Sequence, residues 1–483
     1  MNLPLDYVKR SLSQLSRGRM EYLTAEADAR RVLQEVRESP DDYPSYDPLL
    51  SEKAISIAYT YLACGLSLVE SSATEDTQTG VWALEKAGKI LSDVFQFSND
   101  DSDEANCNLL LAGMALYAAK QFSRAFFVLK DINQSFSLGI MITCFVKKDF
   151  ASLIRTSTDC FFSAPQKDAD SSQIDQWLIE HEVARCFLVV SNFIYSGDHN
   201  EFNQIQTLLD KLILLASSNN LTLQWLIVSL LAVIFRTFQA SSPWTILPPL
   251  LPAKIMQKKY IRMLCSLRNR VCEIWPSQVS ALPLALGNNN GAVINLRTSA
   301  GKTRVAEIAI LKALSTHLSS KVLYLAPFRS LAFELEQSLS LTLIPLGFSV
   351  SQLYGGSTAS TTDFDVIQQT DVIIATPEKA KALIRGGSGL EHEIRLIIVD
   401  EGHLLGADTR HVRNEIFLSY LYEFSRRHDI RVLLLSAVLP NAEDLAQWIA
   451  GDASNVARSD WKPARERLGL LIWTGQQVRL PCL

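Results

Sequence analysis

The sequence lacks the features that mark several classes of protein. None of its eight cysteines forms a CxxC pair, and no histidine lies near them at the spacing of a zinc site. The N-terminus has no apolar core of a signal peptide, and the most apolar run, residues 221–235, is shorter than the ~20 residues that a membrane span needs. These absences favour a cytoplasmic protein with reduced, buried cysteines and no membrane segment.

The chain also lacks an excess of positive charge. Its formal net charge is −5 and its pI is near 5.9, so no overall basic surface indicates nucleic-acid binding. One face of an acidic protein can still be positive, and the question stays open at this point. With 48% hydrophobic and 20% charged residues, the 483 residues can form large cores. At roughly 150 residues per domain, two to four domains are expected.

Residues 1–240 have few β-branched runs, and their apolar residues recur at three- and four-residue spacing, which predicts helix after helix. Residues 109–132 resemble a tetratricopeptide-type helical hairpin, and residues 137–157 a degenerate second copy. Their offset is shorter than the usual ~34 residues, so an irregular helical bundle is the alternative. The histidines of this half, His181 and His199, are isolated. We expect this half to bind a protein partner rather than to carry chemistry.

The composition of the sequence changes in residues 241–276. The proline-rich segment SPWTILPPLLP predicts an extended connector, and a basic helix follows over residues 254–270. Strand and helix patterns then alternate through residues 277–455. Apolar runs typical of strands buried on both faces occupy residues 322–326, 372–375, 396–399 and 432–435. The pattern predicts an α/β fold, a doubly wound parallel sheet whose ligand lies at the carboxyl ends of the strands.

The stretch AVINLRTSAGKTRVAEIAI joins an apolar strand to an apolar helix through a loop of small residues. The loop residues are Thr298, Ser299, Ala300 and Gly301. Their backbone N–H groups, with the helix N-terminus, suit a polyphosphate. Lys302 can reach the β- and γ-phosphates of ATP, and Thr303 can bind Mg²⁺. The pattern GxxxxGK[ST] fails at its first glycine, because position 296 is leucine, so a chance turn is the alternative for this loop alone.

An acidic pair follows the buried strand at residues 396–399. Asp400 would hold Mg²⁺, and Glu401 would position and polarise the attacking water. Together with the loop, these residues predict an ATP-hydrolysing site in which Lys302, Asp400 and Glu401 are catalytic.

These elements resemble superfamily 2 helicases. TSAGKT resembles motif I, and the sequence DEGH at residues 400–403 resembles the DExH box. Within the superfamily, the superkiller-type branch is the most similar, and bacterial antiphage helicases of the Hachiman type are the nearest in appearance. The resemblance covers about residues 275–451. It implies a RecA-like lobe that binds ATP and Mg²⁺ and drives movement on DNA or RNA.

The resemblance also assigns roles to lesser motifs. Gln278, upstream of the loop, resembles a glutamine that reads adenine, since its amide can both donate and accept hydrogen bonds. A motif Ia-like segment, a GG element and a TPEK-type motif imply residues that face nucleic acid, namely Phe328, Arg329, Gly356 and Thr376. SAV at residues 436–438 resembles motif III, usually SAT. With valine in place of the threonine, the motif implies that Ser436 and Ala437, together with His403 of the DEGH sequence, couple ATP hydrolysis to strand movement.

Residues 456–483 resemble the start of a link into a second RecA-like lobe, which is absent from the sequence. No QxxGRxGR-like pattern surrounds the arginines there, and such arginines contribute roughly 10³–10⁵ in rate in related phosphoryl-transfer enzymes. We therefore interpret the chain as the ATP-binding half of a helicase or of a translocase in a defence assembly, with poor turnover alone. The alternative is a helical scaffold with a regulatory nucleotide-binding lobe and no motor activity.

Overall fold

The computed structural model describes most of the chain in segments. These are residues 4–36, 46–71, 73–96, 102–130, 132, 136–165, 168, 170–267, 270–316, 319–353, 360–385, 392–403, 409–462, 472–473 and 478–479. The chain divides into two compact units. The first contains Met1–Gln239 and the second is Ala240–Lys462.

The first unit is helical throughout its described length, as the three- and four-residue apolar spacing predicts. Several helices begin at a side-chain cap, such as Asp170, whose carboxylate accepts from the Gln173 backbone N–H at 2.8 Å. The helices are α1 Leu5–Leu15, α2 Arg19–Val36, α3 Leu50–Val69, α4 Thr74–Phe95, α5 Asp103–Ala118, α6 Phe122–Leu129, α7 Ser137–Lys147, α8 Phe150–Phe161, α9 Ser171–Ser196, α10 His199–Ser218 and α11 Thr222–Ser241.

An aromatic cluster forms part of the core of this unit. The Phe145 ring of α7 lies 5.5 Å from Tyr117, 5.8 Å from Phe187, 5.9 Å from Phe235 and 5.3 Å from Phe238, measured between ring centroids. These edge-to-face and tilted contacts add about 0.5–1.5 kcal/mol each beyond the burial of their area. The cluster joins α5, α7, α9 and α11, so helices distant in sequence share one core.

Helix α11 is long and apolar enough, by length and composition, to cross a membrane. Within the described residues it alone meets that test, but 67% of its apolar window is buried inside the protein. Ile227, Val228 and Leu231 are nearly inaccessible to solvent. The helix is therefore a core element of the helical unit, which accounts for the apolar run at residues 221–235.

The second unit is a parallel sheet covered by helices. Its first elements are α12 Pro243–Ile246, α13 Lys254–Ser266, α14 Pro276–Ala285, β1 Gly291–Asn295, α15 Lys302–Thr316, β2 Lys321–Leu325, α16 Arg329–Leu343, a 3-10 turn at Ile344–Leu346 and β3 Val350–Gln352. They are followed by α17 Thr361–Gln369, β4 Val372–Ala375, α18 Pro377–Arg385, β5 Ile394–Val399, α19 Thr409–Arg427, β6 Arg431–Ser436, α20 Ala442–Ala450 and β7 Val456–Arg458. Two short strands outside this unit, β8 Ile472–Trp473 and β9 Val478–Arg479, pair antiparallel in a separate ladder.

The seven strands of the main sheet run parallel in the order β3-β4-β2-β5-β6-β1-β7. The central strands are buried on both faces, because helices cover each side. The predicted fold class, a helical N-terminal region followed by a RecA-like doubly wound parallel sheet, is confirmed. Strand β7 pairs with β1, so the sheet continues past residue 455, where the sequence-based boundary was set.

The proline-rich segment differs from the predicted extended connector. Pro243 is the first residue of α12, a position where its missing N–H costs nothing, and the Ser242 hydroxyl caps the turn by accepting from Trp244 N–H at 3.2 Å. The basic helix also ends earlier than predicted, at Ser266, because Leu267 has an extended backbone. Both segments belong to the second unit rather than to a separate linker.

A buried ion pair joins α17 and α18 in this unit. Lys379 Nζ lies 2.7 Å from Asp363 Oδ2, and the two side chains are only 4% and 9% exposed. Burial alone would raise the pKa of the Asp363 carboxyl, but hydrogen bonds from Lys379 and Ser360 outweigh it, so this pKa lies below its usual value. The pair therefore fixes a helix that starts at the end of β4.

We predict that Asp363→Asn lowers the free energy of unfolding by about 3 kcal/mol, because a buried charge loses its counter-charge while the side-chain shape is kept. The loss should be complete above about pH 4 and should shrink as the pH falls through the depressed pKa of folded Asp363. Urea denaturation at several pH values measures it. Arg458→Ala, which breaks an exposed pair with Glu443, is the control and should change stability far less. Equal losses in the two variants would refute the prediction.

Candidate active site

The sheet order brings the two predicted turns to the same edge. Strand β1, which leads into the small-residue loop, and strand β5, which leads into the acidic pair, are both neighbours of β6. With one strand between them, their carboxyl ends lie ~10 Å apart. Leu296 N–H, just beyond β1, donates to the Ser436 carbonyl at the end of β6 at 3.1 Å. The loop and the acidic pair therefore face one crevice.

The loop has the backbone of an anion cradle. Ser299 and Gly301 have left-handed backbones, with φ of +65° and +86°, so the chain turns sharply before α15 begins at Lys302. Ala300 is buried, whereas Thr298, Ser299 and Thr303 are exposed. The N-terminal amides of α15 and the Lys302 ammonium are thus presented together to an anion at this edge.

Two residues at the start of α14, Ser277 and Gln278, hold this loop in place through hydrogen bonds to its carbonyls. The Gln278 Nε2 donates to the Gly301 carbonyl at 3.3 Å, while its Oε1 accepts from Trp275 N–H at 2.8 Å. The Ser277 hydroxyl donates to the Ala300 carbonyl at 2.9 Å. A Cβ at Gly301 would come within 2.1 Å of Gln278 Nε2, so the glycine is needed for both its backbone and this close approach. The side chain expected to read adenine is therefore in direct contact with the loop.

Asp400 is a largely buried carboxylate directly after β5. Tyr324 of the neighbouring strand β2 donates its O–H to Asp400 Oδ2 at 2.9 Å, and Glu401 N–H donates to Oδ1 at 2.8 Å. Burial raises the pKa of Asp400; the Tyr324 and Glu401 hydrogen bonds and the Lys302 charge reduce that rise, and the Glu401 charge adds to it. Burial and the adjacent Asp400 also hold the pKa of Tyr324 well above its ordinary value, which keeps the phenol protonated as a donor.

Glu401 connects the acidic pair to the end of β6. Its backbone is left-handed, with φ of +51°, a strained conformation for a non-glycine residue. Its Oε2 is buried and lies 3.0 Å from His403 Nδ1, and that nitrogen lies 3.2 Å from the Ser436 hydroxyl. The half-buried Ala437 follows Ser436. Of the three residues predicted to couple hydrolysis to movement, His403 thus lies beside both Glu401 and Ser436, and Ala437 follows Ser436 in the chain.

The donor set fits a magnesium nucleotide. Mg²⁺ prefers oxygen ligands and usually binds proteins through one or two carboxylates plus substrate phosphates. Here a desolvated carboxylate, Asp400, lies at the same edge of the sheet as Lys302 and Thr303, and the buried Glu401 Oε2 lies 3.0 Å from His403 Nδ1. A divalent cation in this crevice would stabilise the charged form of Asp400, which its burial otherwise disfavours.

The residues predicted to face nucleic acid follow neighbouring strands. Phe328, 45% exposed, and Arg329, also exposed, stand at the start of α16 beyond β2. Thr376 follows β4, and its Oγ1 accepts from Lys379 N–H at 3.4 Å, which makes it a cap of α18. Because β2 and β4 are adjacent in the sheet, Phe328, Arg329 and Thr376 all lie just beyond the carboxyl ends of two neighbouring strands. Gly356 lies outside the described residues.

Sequence reasoning missed Tyr324. In the sequence it is one aromatic residue within the apolar run VLYLA, where it is indistinguishable from a core side chain. Its role depends on the register that sets β2 beside β5, with Leu325 opposite Val399. A hydroxyl-bearing residue near the end of a buried strand was the available signal, since a buried Tyr O–H usually finds a partner.

Comparisons with known proteins give the family context. The sequence pattern of the DEAD/DEAH box helicase family matches residues 275–445. The chain is 34% identical to the Hachiman protein HamB of Bacillus cereus over 454 residues, which cover 94% of this chain and 40% of HamB. It is 33% identical to the ATP-dependent DNA helicase Hel308 of Thermococcus kodakarensis over 216 residues, which cover 43% of this chain and 18% of that helicase.

Among solved structures, the DUF1998 helicase MrfA bound to DNA is similar to 44% of this chain and 30% of its own, with a TM-score of 0.37 and 19% identity. The chain spans two fifths or less of the length of the two curated relatives, HamB and the Thermococcus kodakarensis Hel308.

We predict that Gly301→Ala weakens nucleotide binding roughly tenfold or more, because the added Cβ displaces Gln278 or the loop carbonyl it holds. Gly347→Ala is a matched control, since φ there is +96° but nothing lies within 4 Å of the added Cβ. In both variants the new alanine must adopt a left-handed backbone, which costs about 1–3 kcal/mol. Titration with a fluorescent nucleotide should separate them, and equal affinities would disprove the role given to Gly301.

We predict that Tyr324→Phe raises the Mg²⁺ concentration needed for nucleotide binding roughly 10- to 100-fold, the usual cost of losing a residue that orients a metal ligand. Tyr260→Phe is the control. It also removes a buried Tyr–carboxylate hydrogen bond, to Glu307 at 2.6 Å, so it should lower stability while leaving the Mg²⁺ requirement unchanged. Magnesium titrations of nucleotide binding provide the measurement. An unchanged requirement in Tyr324→Phe would exclude the positioning role.

Proposed function

We propose that this chain, whose residues 275–445 match the sequence pattern of the DEAD/DEAH box helicase family, is the ATP-binding part of a nucleic-acid helicase or translocase. The observation that carries the proposal is the pairing of β1 and β5 with the same strand, β6. This pairing brings the ends of the strands before the Lys302 loop and the Asp400–Glu401 pair to the same edge of the sheet, which supports a shared crevice. ATP and Mg²⁺ are the ligands whose chemistry this crevice suits.

The proposed reaction is in-line attack of water on the γ-phosphate. The amides of Thr298 to Gly301 would hold the polyphosphate, and Lys302 would neutralise charge on the β- and γ-phosphates. Thr303 and Asp400 would hold Mg²⁺, which supplies charge neutralisation between the phosphates. Glu401 would orient and polarise the attacking water, and Gln278 would read the adenine edge. Apart from Gln278 on α14, these residues would act from the turns and the helix start that follow β1 and β5.

Nucleic acid would bind beyond β2 and β4. Phe328 offers an exposed aromatic face, Arg329 a charge for the phosphate backbone, and Thr376 the N-terminus of a helix; we propose the same role for Gly356. Movement would be linked to hydrolysis through His403, because its Nδ1 is close to both Glu401 and Ser436. Ala437 and the 71%-exposed Val438 continue from Ser436 toward the surface.

The similarity to HamB covers 94% of this chain, including the helical unit. We therefore propose a role in antiviral defence in the cytoplasm, with the helical residues 1–240 binding a protein partner. Residues 456–483 would lead toward a second lobe carrying arginines for the transferred phosphoryl group. A helical scaffold with a purely regulatory nucleotide lobe is the competing function, and the strained Glu401 beside His403 favours the hydrolytic one.

We predict that residues 1–483 alone bind ATP weakly and hydrolyse it slowly with or without DNA or RNA, because arginines of a second lobe are needed for fast transfer. Glu401→Gln should keep ATP binding and lose the residual hydrolysis, whereas Lys302→Ala should lose both. Steady-state ATPase assays and nucleotide titrations measure these effects. Vigorous stimulated turnover by this chain alone would contradict its dependence on a second lobe.

Biological activity that survives Lys302→Ala would instead support the scaffold. For this test, the substitution is made in the longest natural form of the protein, and resistance to phage infection is scored. The matched control is Lys381→Ala, an ordinary lysine substitution on α18 away from the phosphate loop. It should keep both ATP binding and resistance.

A further inference from the structure

A second pocket lies at the opposite end of the sheet from the ATP site. It has a volume of about 520 Å³ and is bounded by the turn between α14 and β1, the last turns of α15, and the first residues of β5 and β6. Those first residues include Arg395 and Arg431. All of its lining residues are described and belong to the second unit. The pocket is unrelated to the phosphate loop, since α15 presents its N-terminus to one site and its C-terminal half to the other.

The pocket is lined by several basic side chains. Lys312, Arg395 and Arg431 line it together with His428, and Asp429 is the one carboxylate among the lining residues. Asp429 is exposed. Within the described part of the chain, none of the three basic side chains forms an ion pair with a carboxylate. The pocket therefore holds three basic side chains against a single carboxylate, Asp429.

Backbone carbonyls hold two of these cations in place. Arg431 donates from Nη1 to the Asn289 carbonyl at 2.6 Å and to that of Gly287, and from Nη2 to that of Leu284. Lys312 Nζ donates to the Leu286 carbonyl. These carbonyls belong to the C-terminal turn of α14 and the loop after it, so both cations also cap a helix.

Capping orients the two cations but leaves their charge in place. Burial lowers the pKa of the Arg431 guanidinium to about 10, and burial together with the Arg431 charge lowers that of Lys312. The Arg431 Nε is buried without a hydrogen bond. Two neighbouring cations that repel each other and are partly desolvated would both be stabilised by an anion in the pocket.

We propose that this pocket binds the phosphate group of a small phosphorylated molecule of nucleotide size. The volume lies within the range of ligand pockets, about 300–1,000 Å³. Phosphate suits the site because Lys312 retains N–H donors beyond the one it gives to Leu286, and Arg395 can add a planar fork. A concave pocket of this size favours a compact ligand over a nucleic-acid strand, which needs an extended groove.

The test is to titrate inorganic pyrophosphate into the full chain carrying Lys302→Ala, which disables the phosphate loop. Binding is measured by calorimetry and by the rise in melting temperature, against sodium chloride at equal ionic strength, which screens charges without occupying the pocket. We expect saturable binding in this background. Adding Lys312→Ala or Arg395→Ala should weaken it roughly tenfold or more, the effect of one lost charge-assisted hydrogen bond. Adding Arg427→Ala, an exposed arginine near the pocket that does not line it, should leave the affinity unchanged.

Two results would overturn the proposal. One is the absence of saturable pyrophosphate binding once Lys302 is replaced, which would assign all anion binding to the phosphate loop. The other is an equal affinity in the Arg395→Ala, Lys312→Ala and Arg427→Ala backgrounds, which would leave Lys312 with helix capping alone and Arg395 with no part in binding an anion. Arg395 donates only to the neighbouring Ile394 carbonyl among the described contacts, so its variant should fold and decides the question if Lys312→Ala is unstable.

Discussion

The Asp400 carboxylate is held where water is largely excluded, and the architecture around the site serves to keep that charge usable. A lone buried carboxylate would tend to take up a proton, and burial does raise its pKa. Tyr324 and the Glu401 amide satisfy its oxygens, and Lys302 contributes positive charge from the other side of β6. This arrangement requires β2 beside β5 and β1 two strands away. The strand order is therefore needed for the environment of Asp400 as well as for the packing of the sheet.

Much of the fold follows from local sequence patterns, and the exceptions have local causes. The run at Val372–Ala375 was predicted at its observed bounds because it is apolar and flanked by polar residues. Strand β3 was missed, since Val350–Gln352 is short, half polar and lies at the sheet edge. The connector was wrong because Pro243 was treated as a helix breaker, whereas at the first position it starts α12. Strand order, which brings the site together, cannot be read from apolar runs.

Some residues of the candidate site could likewise be recognised in the sequence, and others could not. Lys302, Thr303, Asp400 and Glu401 are recognisable because their chemistry is tied to a fixed position after a strand. Tyr324 and the contact between Gln278 and Gly301 depend on which strands and helices become neighbours, so spacing alone gives no sign of them. Nothing in the sequence distinguishes Lys312 or Arg431 from other charged residues. Their significance comes from a pocket formed by segments distant along the chain.

The contact between Gln278 and Gly301 would affect nucleotide choice under the proposed role of Gln278 in reading adenine. The amide uses one N–H on the Gly301 carbonyl and one lone pair on Trp275 N–H, which leaves one donor and one acceptor. Adenine offers the complementary pair, N7 and N6–H₂, whereas guanine presents two acceptors there. A mismatched base would leave a polar group unsatisfied on a side chain that is only 6% exposed. A base other than adenine would then also disturb the hydrogen bond from Gln278 to the Gly301 carbonyl in the phosphate loop. The base and the phosphates of the wrong nucleotide would both be bound less tightly.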